Sequence, residues 1–206
     1  MLGAETRATG RATWESLLQA AVDCIAELGC VASTTTRIAK RAGVSRGSLQ
    51  HHFRSRDDLL LSVAERVFIS DPAADVEALR AKPLQDRLDH LFDHVERATL
   101  NNRFAAAVRL AAALDMDSDL GKKVRSIRES ARRSNRGNRE LMFADIDLDR
   151  EDWQAIVRTI SAMMYDAAYQ GETKKRHFDR ADYDRRVKHQ KSMLLLYLSS
   201  LQRGAN

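Results

Sequence analysis

Two prolines and nine glycines in 206 residues are too few to interrupt a chain often. Proline removes a backbone donor and breaks helices, so its scarcity leaves room for long ones. Val and Ile together number 18, against 52 for Ala and Leu. That balance excludes a β-rich fold, because β-branched side chains favour strands whereas Ala and Leu lose little entropy in a helix. The two cysteines, Cys24 and Cys30, form no Cys-x-x-Cys pair and have no further partners. A disulfide framework and a zinc knuckle are therefore excluded, and the thiols are read as reduced, in a cytoplasmic protein. Long apolar runs are lacking too: the longest, residues 193–198, is six residues, against the roughly 20 that a spanning helix needs. The polar start MLGAETRATG has no leader-like apolar segment, so neither secretion nor a membrane partner is expected. Hydrophobic residues still make up 44% of the chain, enough for a core, which excludes disorder. The expected fold class is all-α.

Net charge is +5, from 34 Lys and Arg against 29 Asp and Glu, too mild to name a partner. Its placement is more informative. Residues 28–56 hold six bases (Arg37, Lys40, Arg41, Arg46, Arg54, Arg56) and no acid, while residues 71–96 hold seven acids against three bases.

Hydrophobic spacing divides the chain. Residues 1–10 are small and polar and are expected to form a flexible arm. Trp14, Leu17, Leu18, Ala21, Val22, Ile25 and Leu28 recur at helical spacing up to Gly29. Ser33 and Thr34 offer N-cap hydroxyls to a two-turn helix carrying Ile38 and Ala39, which Gly43 can stop. Ser45 then caps a second short helix whose Leu49 and Phe53 share a face, and Ser55 with Asp58 forms a capping box for a fourth helix over 55–69. Beyond Pro72 and Pro83 the helices lengthen, which places a domain boundary near residue 71 and divides the chain into 11–71 and 72–206.

Two short helices joined by Ala42-Gly43-Val44-Ser45, about residues 34–53, have the proportions of a helix-turn-helix, whose second helix lies in the DNA major groove. Leu49 and Phe53 hold that helix to the core, leaving Arg46, Gly47, Ser48, Gln50 and His51 outward. Arg suits guanine O6 and N7, Gln suits adenine N6 and N7, and a missing side chain lets backbone approach closely. Thr34, Thr35, Thr36, Ser45 and Ser48, with Arg54 and Arg56, suit phosphates. Spacing and charge alone also fit a generic αα-hairpin with a solvated basic face.

The run STTTRIAKRAGVSRGSLQHHFRSRDDLL resembles the signature of TetR-family transcriptional regulators. It matches in the hydroxyl cluster, Ile38-Ala39, Ala42-Gly43-Val44-Ser45, Gly47, Leu49, His52-Phe53 and the stretch 56–60, and the likeness covers about residues 11–70. The resemblance implies an all-α homodimer with a three-helix head, a linking fourth helix and a larger C-terminal domain for ligand binding and dimerisation. It implies a double-stranded palindromic operator, a small-molecule effector that acts through the fourth helix, and no cofactor. By position, Thr35, Thr36, Arg46, Gly47, Ser48, Gln50, His51, His52 and Arg56 fall where family members touch DNA. One departure stands out: the family commonly has Tyr where this chain has Gln50, which suggests an added base contact.

The resemblance also implies a dimer contact on the last two helices. Apolar stripes there contain Ile156, Ile160, Met164, Leu194, Tyr197, Leu198 and Leu201, which equally suit an internal core. Residues 122–139 hold eight bases opposed by Glu129 alone; the Val124, Ile127, Ala131 spacing makes them the charged outside of a long helix. That stripe continues through Ser134 and Asn138, polar residues on an inward face that need a ligand or a backbone partner. Phe92, Phe104, Trp153 and Tyr165 suit a ligand cavity or core packing.

His90 and His94, one turn apart after Asp86, have metal-ligand spacing but lie on the polar side of a helix whose stripe is Leu84, Leu88, Leu91 and Val95. A solvated face is expected and no metal site. No Ser/His/Asp order, phosphate loop or carboxylate pair is present, so no enzyme is expected. The competing class is a helical ligand-binding or enzymatic protein whose head docks protein. Steep salt dependence of binding separates a DNA-binding head from it.

Overall fold

In a computed structural model of the chain the described residues are 2–69, 75–99, 101–115, 117–173 and 179–202. They form α1 (Leu2–Leu28), α2 (Thr35–Arg41), α3 (Arg46–His52), α4 (Arg56–Phe68), α5 (Val76–Arg80), α6 (Leu84–Thr99), α7 (Asn102–Ala113), α8 (Asp119–Met142), α9 (Arg150–Thr173) and α10 (Arg180–Ser200). Among the described residues the β-type pairing is a single bridge, Ile146 to Gln202. None of the described helices is long and apolar enough to cross a membrane.

Boundaries follow the capping side chains. Thr34, Ser45 and Ser55 each sit in extended backbone and accept from the amide three residues on, at 3.3, 3.1 and 3.0 Å. Asp58 reciprocates one residue further out than the expected box: its Oδ2 accepts from the Arg54 amide. Between α2 and α3, Gly43 takes φ +70°, its amide donates to the Lys40 carbonyl at 3.2 Å and the Val44 amide to Ala39 at 3.0 Å. This paired closure satisfies two orphan carbonyls and reverses the chain within four residues. Residues 2–10, expected as a flexible arm, instead continue α1 back to Leu2. Ala4, Glu5, Arg7 and Ala8 are good helix formers, and neither Pro nor a cap precedes Gly10.

The described helices fall into two units. Unit 1 is Met1–Ser70 with Asn102–Arg132, and unit 2 is Asp71–Asn101 with Arg133–Asn206. The units are therefore not the contiguous halves expected from a break at residue 71. Residues 102–132 return to the head because α7 offers α1 a small, apolar face: Ala106 and Leu110 are fully buried there. In unit 1, Leu17, Leu18, Val22 and Ile25 of α1 meet Ile38, Leu49, Leu59 and Val63 in one core. Cys24 and Cys30 lie in it as free, buried thiols, and burial pushes the Cys24 thiol up. In unit 2, α6 packs against α9 and α10. Arg87 is buried there, donating to both carboxylate oxygens of Asp145 (2.5 and 2.8 Å) and to the Met142 carbonyl at 2.8 Å. Its guanidinium lies 5.4 Å from the Phe143 ring, which meets Trp153 at 4.9 Å.

Candidate nucleic-acid interface and effector cavity

Leu49 and Phe53, both buried, seat α3 on the core, and Phe53 stacks on Trp14 of α1 with ring centroids 6.3 Å apart. That fixes which side of α3 is presented. Arg46, Gly47, Gln50 and His51 are exposed together, with Thr34, Thr36, Ser45 and Arg54 exposed around them. Thr35, Ser48 and His52 are half-buried beneath, and the His52 ring meets His51 edge-on at 5.6 Å. Thr34 and Ser45 accept amides as caps, yet each hydroxyl keeps a proton to donate outward. Gly47 has ordinary backbone, and a Cβ built on it would meet only Ser45 Oγ at 3.7 Å. Nothing within the chain requires glycine there.

The six bases of residues 28–56 divide into two groups of three. Arg41 forms a bidentate pair with Glu27, which raises the guanidinium and lowers the carboxyl through their hydrogen bonds. Arg37 donates to the Ala32 carbonyl at 2.8 Å. Arg56, expected at phosphate, donates instead to the Ser33 and Cys30 carbonyls at 2.9 and 2.6 Å. Together with Ser33, whose hydroxyl donates to the Gly29 carbonyl, Arg37 and Arg56 fasten the loop between α1 and α2. The remaining three, Lys40, Arg46 and Arg54, are exposed and make no side-chain hydrogen bond or ion pair among the described residues. The outward cations therefore sit on and beside α3.

Residues 17–69 match the family described as bacterial regulatory proteins, tetR family. The head of this chain, residues 17–69, is of the TetR type. The regulator BetI 1 of Chromohalobacter salexigens is 36% identical over 88 residues, which are 43% of this chain and 41% of that one. The repressor AcnR of Corynebacterium diphtheriae is 30% identical over 83 residues, 40% of this chain and 42% of that one. The match thus spans less than half the length of either relative. Over the whole fold, NalD of Pseudomonas aeruginosa, the secondary repressor of the MexAB-OprM multidrug efflux pump, superposes with a TM-score of 0.60 at 15% identity, covering 96% of this chain and all of that one. The TetR arrangement, a helix-turn-helix head and a helical C-terminal part, is the fold of this chain.

Of the ligand residues expected from sequence, Phe104 lies in unit 1 and the others in unit 2. Phe92 is buried in the core of unit 2, with the Lys191 ammonium 5.3 Å from its ring, and Trp153 packs on Phe143. Phe104 belongs to unit 1, and Ser134 is exposed. The side chain of Tyr165 lies outside the described residues, as does that of Met164. Asn138 lines a cavity of about 50 Å³ within unit 2. Its polar lining is Asn135, Asn138 and Arg139 from α8 with His90 and His94 from α6; Leu79, Leu91 and Met142 are among its apolar walls. The two histidines are thus half-buried against a cavity rather than on a solvated face. Burial, and then the Arg97 charge, depress His90, and burial lowers the Arg139 guanidinium. Among the described residues no three His, Cys, Asp or Glu side chains gather as a metal site would require.

The expected dimer residues also divide. Ile160 and Leu198 are fully buried in their own unit, and Ile156, Leu194 and Leu201 pack against that core. Tyr197 is exposed, and with Met193 and Leu196 it makes an apolar face on α10, at 47%, 60% and 75% exposure respectively. The run 193–198 is apolar all round, so its helical period could not say which side faces inward.

Proposed function

We propose that this chain is a transcriptional repressor that binds a palindromic DNA operator as a homodimer and leaves it when a small molecule occupies unit 2. The observation that carries the reading is the exposed face of α3: Arg46 and Gln50 as base readers, Gly47 as the point of close backbone approach, and His51 and Arg54 beside them. One head makes too few contacts for specific binding, so two recognition helices enter successive major grooves about 34 Å apart. The exposed α10 face of Met193, Leu196 and Tyr197 is the contact with the second copy, joined by α9, whose outer side carries the small Ala155, Thr159 and Ala162.

Release acts through α4, the helix that follows the reading head. Arg103 of α7 donates to the Arg66 and Ile69 carbonyls at its end, at 2.6 and 2.9 Å, so a shift of α7 is felt by α4. To drive a near-complete switch the effector must prefer the released form by about 10⁴-fold. Selection of bound sequences from random DNA tests the reading: recovery of a palindrome, bound with an affinity that falls steeply between about 50 and 200 mM salt, is expected. A flat salt response with no recovered sequence would overturn it.

A further inference from the structure

We infer that the cavity between α6 and the last turns of α8 is a carboxylate site, in which Arg139 holds the headgroup of a small, apolar-tailed monocarboxylic acid and Asn138 supplies a second donor. The inference names the chemistry of the effector proposed above and depends on that reading only for its regulatory consequence.

Four observations lead there. First, Arg139 is the arginine of unit 2 that lines this cavity, and it is half-buried there without a paired acid. Arg87 has Asp145, Arg150 has Glu140, and Arg180 has both Glu96 and Asp184, each within 3.6 Å or closer. Arg139 lines the cavity with no side-chain hydrogen bond or ion pair among the described residues. Its sequence neighbour Glu140 is turned to Arg150 and acts on Arg139 only through space, an attraction that Arg136 partly offsets. A guanidinium partly withdrawn from water without a hydrogen-bonded acid is a destabilised state, and a carboxylate is the partner its planar fork matches bidentately. Second, the lining contains no Asp or Glu, so a cationic ligand would meet only repulsion. Third, burial and the nearby Arg97 lower His90, which disfavours its charged form, and Arg139 is the permanent cation of the lining. Fourth, Leu79, Leu91 and Met142 supply apolar walls. A cavity of about 50 Å³ holds a headgroup and the first carbons of a chain; one about three times larger takes a benzene ring. A hydrated, multiply charged anion such as phosphate gains nothing from such walls.

Titration calorimetry on the full chain tests this, with butyrate and hexanoate as probes and butanol, butylamine and inorganic phosphate as matched controls. The acids are expected to bind, hexanoate more tightly, with the controls at least about tenfold weaker. Arg139→Gln should weaken both acids by about tenfold or more, and Arg139→Lys, which keeps charge but loses the fork, by less. Asn138→Leu, which keeps size and removes the donor, should cost severalfold and provides the same answer if Arg139→Gln does not fold. Butanol or phosphate binding as well as butyrate, an Arg139→Gln or Asn138→Leu protein that keeps wild-type affinity, or no heat from either acid up to about 10 mM would each overturn the site. Acids that bind with this Arg139 dependence yet leave operator affinity unchanged support the site and remove effector release. Acids that release the operator equally from Arg139→Gln overturn the site and leave release standing.

Discussion

Glu27, in the last turn of α1, grips Arg41 of α2 through two parallel hydrogen bonds of 2.5 and 2.6 Å. The pair makes Arg41 a fastening between two helices of the head rather than a cation offered to DNA. Arg41→Ala should therefore weaken the docking of α2 but leave the number of neutralised phosphates unchanged. Lys40→Ala and Arg54→Ala, which remove an outward cation from each of the two heads, should each lower the slope of log affinity against log salt by about two. Operator titrations over a range of salt check this directly. A slope that falls by about two in Arg41→Ala would mean that the ion pair opens on DNA.

Arg46 and Gln50 carry the expected base readout, and the two should fail differently from the phosphate cations. Arg46→Ala is expected to cost about 1–3 kcal/mol per half-site on the preferred operator and to relax the choice at one position of each. Gln50→Ala should do the same at a neighbouring position, because Gln50 stands exposed on the same face. Repeating sequence selection with each variant measures this. Uniform weakening on every sequence would assign Gln50 to the backbone.

The local chemistry of the head is legible in the amino-acid sequence, because caps and turns are written in adjacent residues. Thr34, Ser45, Ser55 and Gly43 act where their types predict. Long-range pairing is not legible in the same way. A charge count over residues 28–56 shows six unopposed bases, yet Glu27 lies one residue outside it and neutralises Arg41. Arg56 reaches back 23 and 26 residues to the carbonyls of Ser33 and Cys30. The same limit applies to the expected ligand residues. Periodicity gives the inward face of a helix but not what it meets, so it shows neither the return of Phe104 to unit 1 nor the meeting of His90 and Asn138 at one cavity.

Asp145 offers a pH dependence whose direction is fixed. The hydrogen bonds from Arg87, and then from Gln202, hold its carboxyl at about 2, below the ordinary 3.8, despite partial burial. A carboxyl lowered on folding adds stability above its unfolded pKa and loses it as pH falls toward the folded one. Roughly 2 kcal/mol should thus disappear between about pH 5 and 2. Asp145→Asn should remove that part of the pH dependence and cost about 3–5 kcal/mol, since it strands a buried Arg87. Arg87→Met with Asp145→Leu should recover most of the loss. Urea unfolding as a function of pH reads all three, and an Asp145→Asn protein with an unchanged acid limb would show that the pair does not govern it.

The α10 face separates assembly from folding. Leu196 is 75% exposed and Met193 60%, whereas Leu198 is fully buried within its own unit. Leu196→Glu and Met193→Glu should leave the helical content intact and shift sedimentation from dimer to monomer, with operator affinity falling as the second head is lost. Leu198→Ala opens a core cavity and should cost about 2–5 kcal/mol of stability at any protein concentration. If Leu196→Glu sediments as wild type, the two copies meet through another surface.

Gly47 gives the sharpest separation of reading from folding. It lies in the first turn of α3 with ordinary backbone, and a methyl group there would make a normal 3.7 Å contact with Ser45 Oγ. Nothing inside the protein resists Gly47→Ala, and helix propensity alone would favour it by up to about 1 kcal/mol. If α3 lies against the base edges with its backbone in close approach, that methyl group meets DNA instead. The variant should be as stable as wild type or slightly more so in urea, and should bind the operator at least about tenfold more weakly by gel shift, a loss of about 1.4 kcal/mol. Full affinity in a stabilised Gly47→Ala protein would mean that this turn of α3 stands clear of the groove, and the contact surface would then have to be drawn from Gln50 and His51 onward.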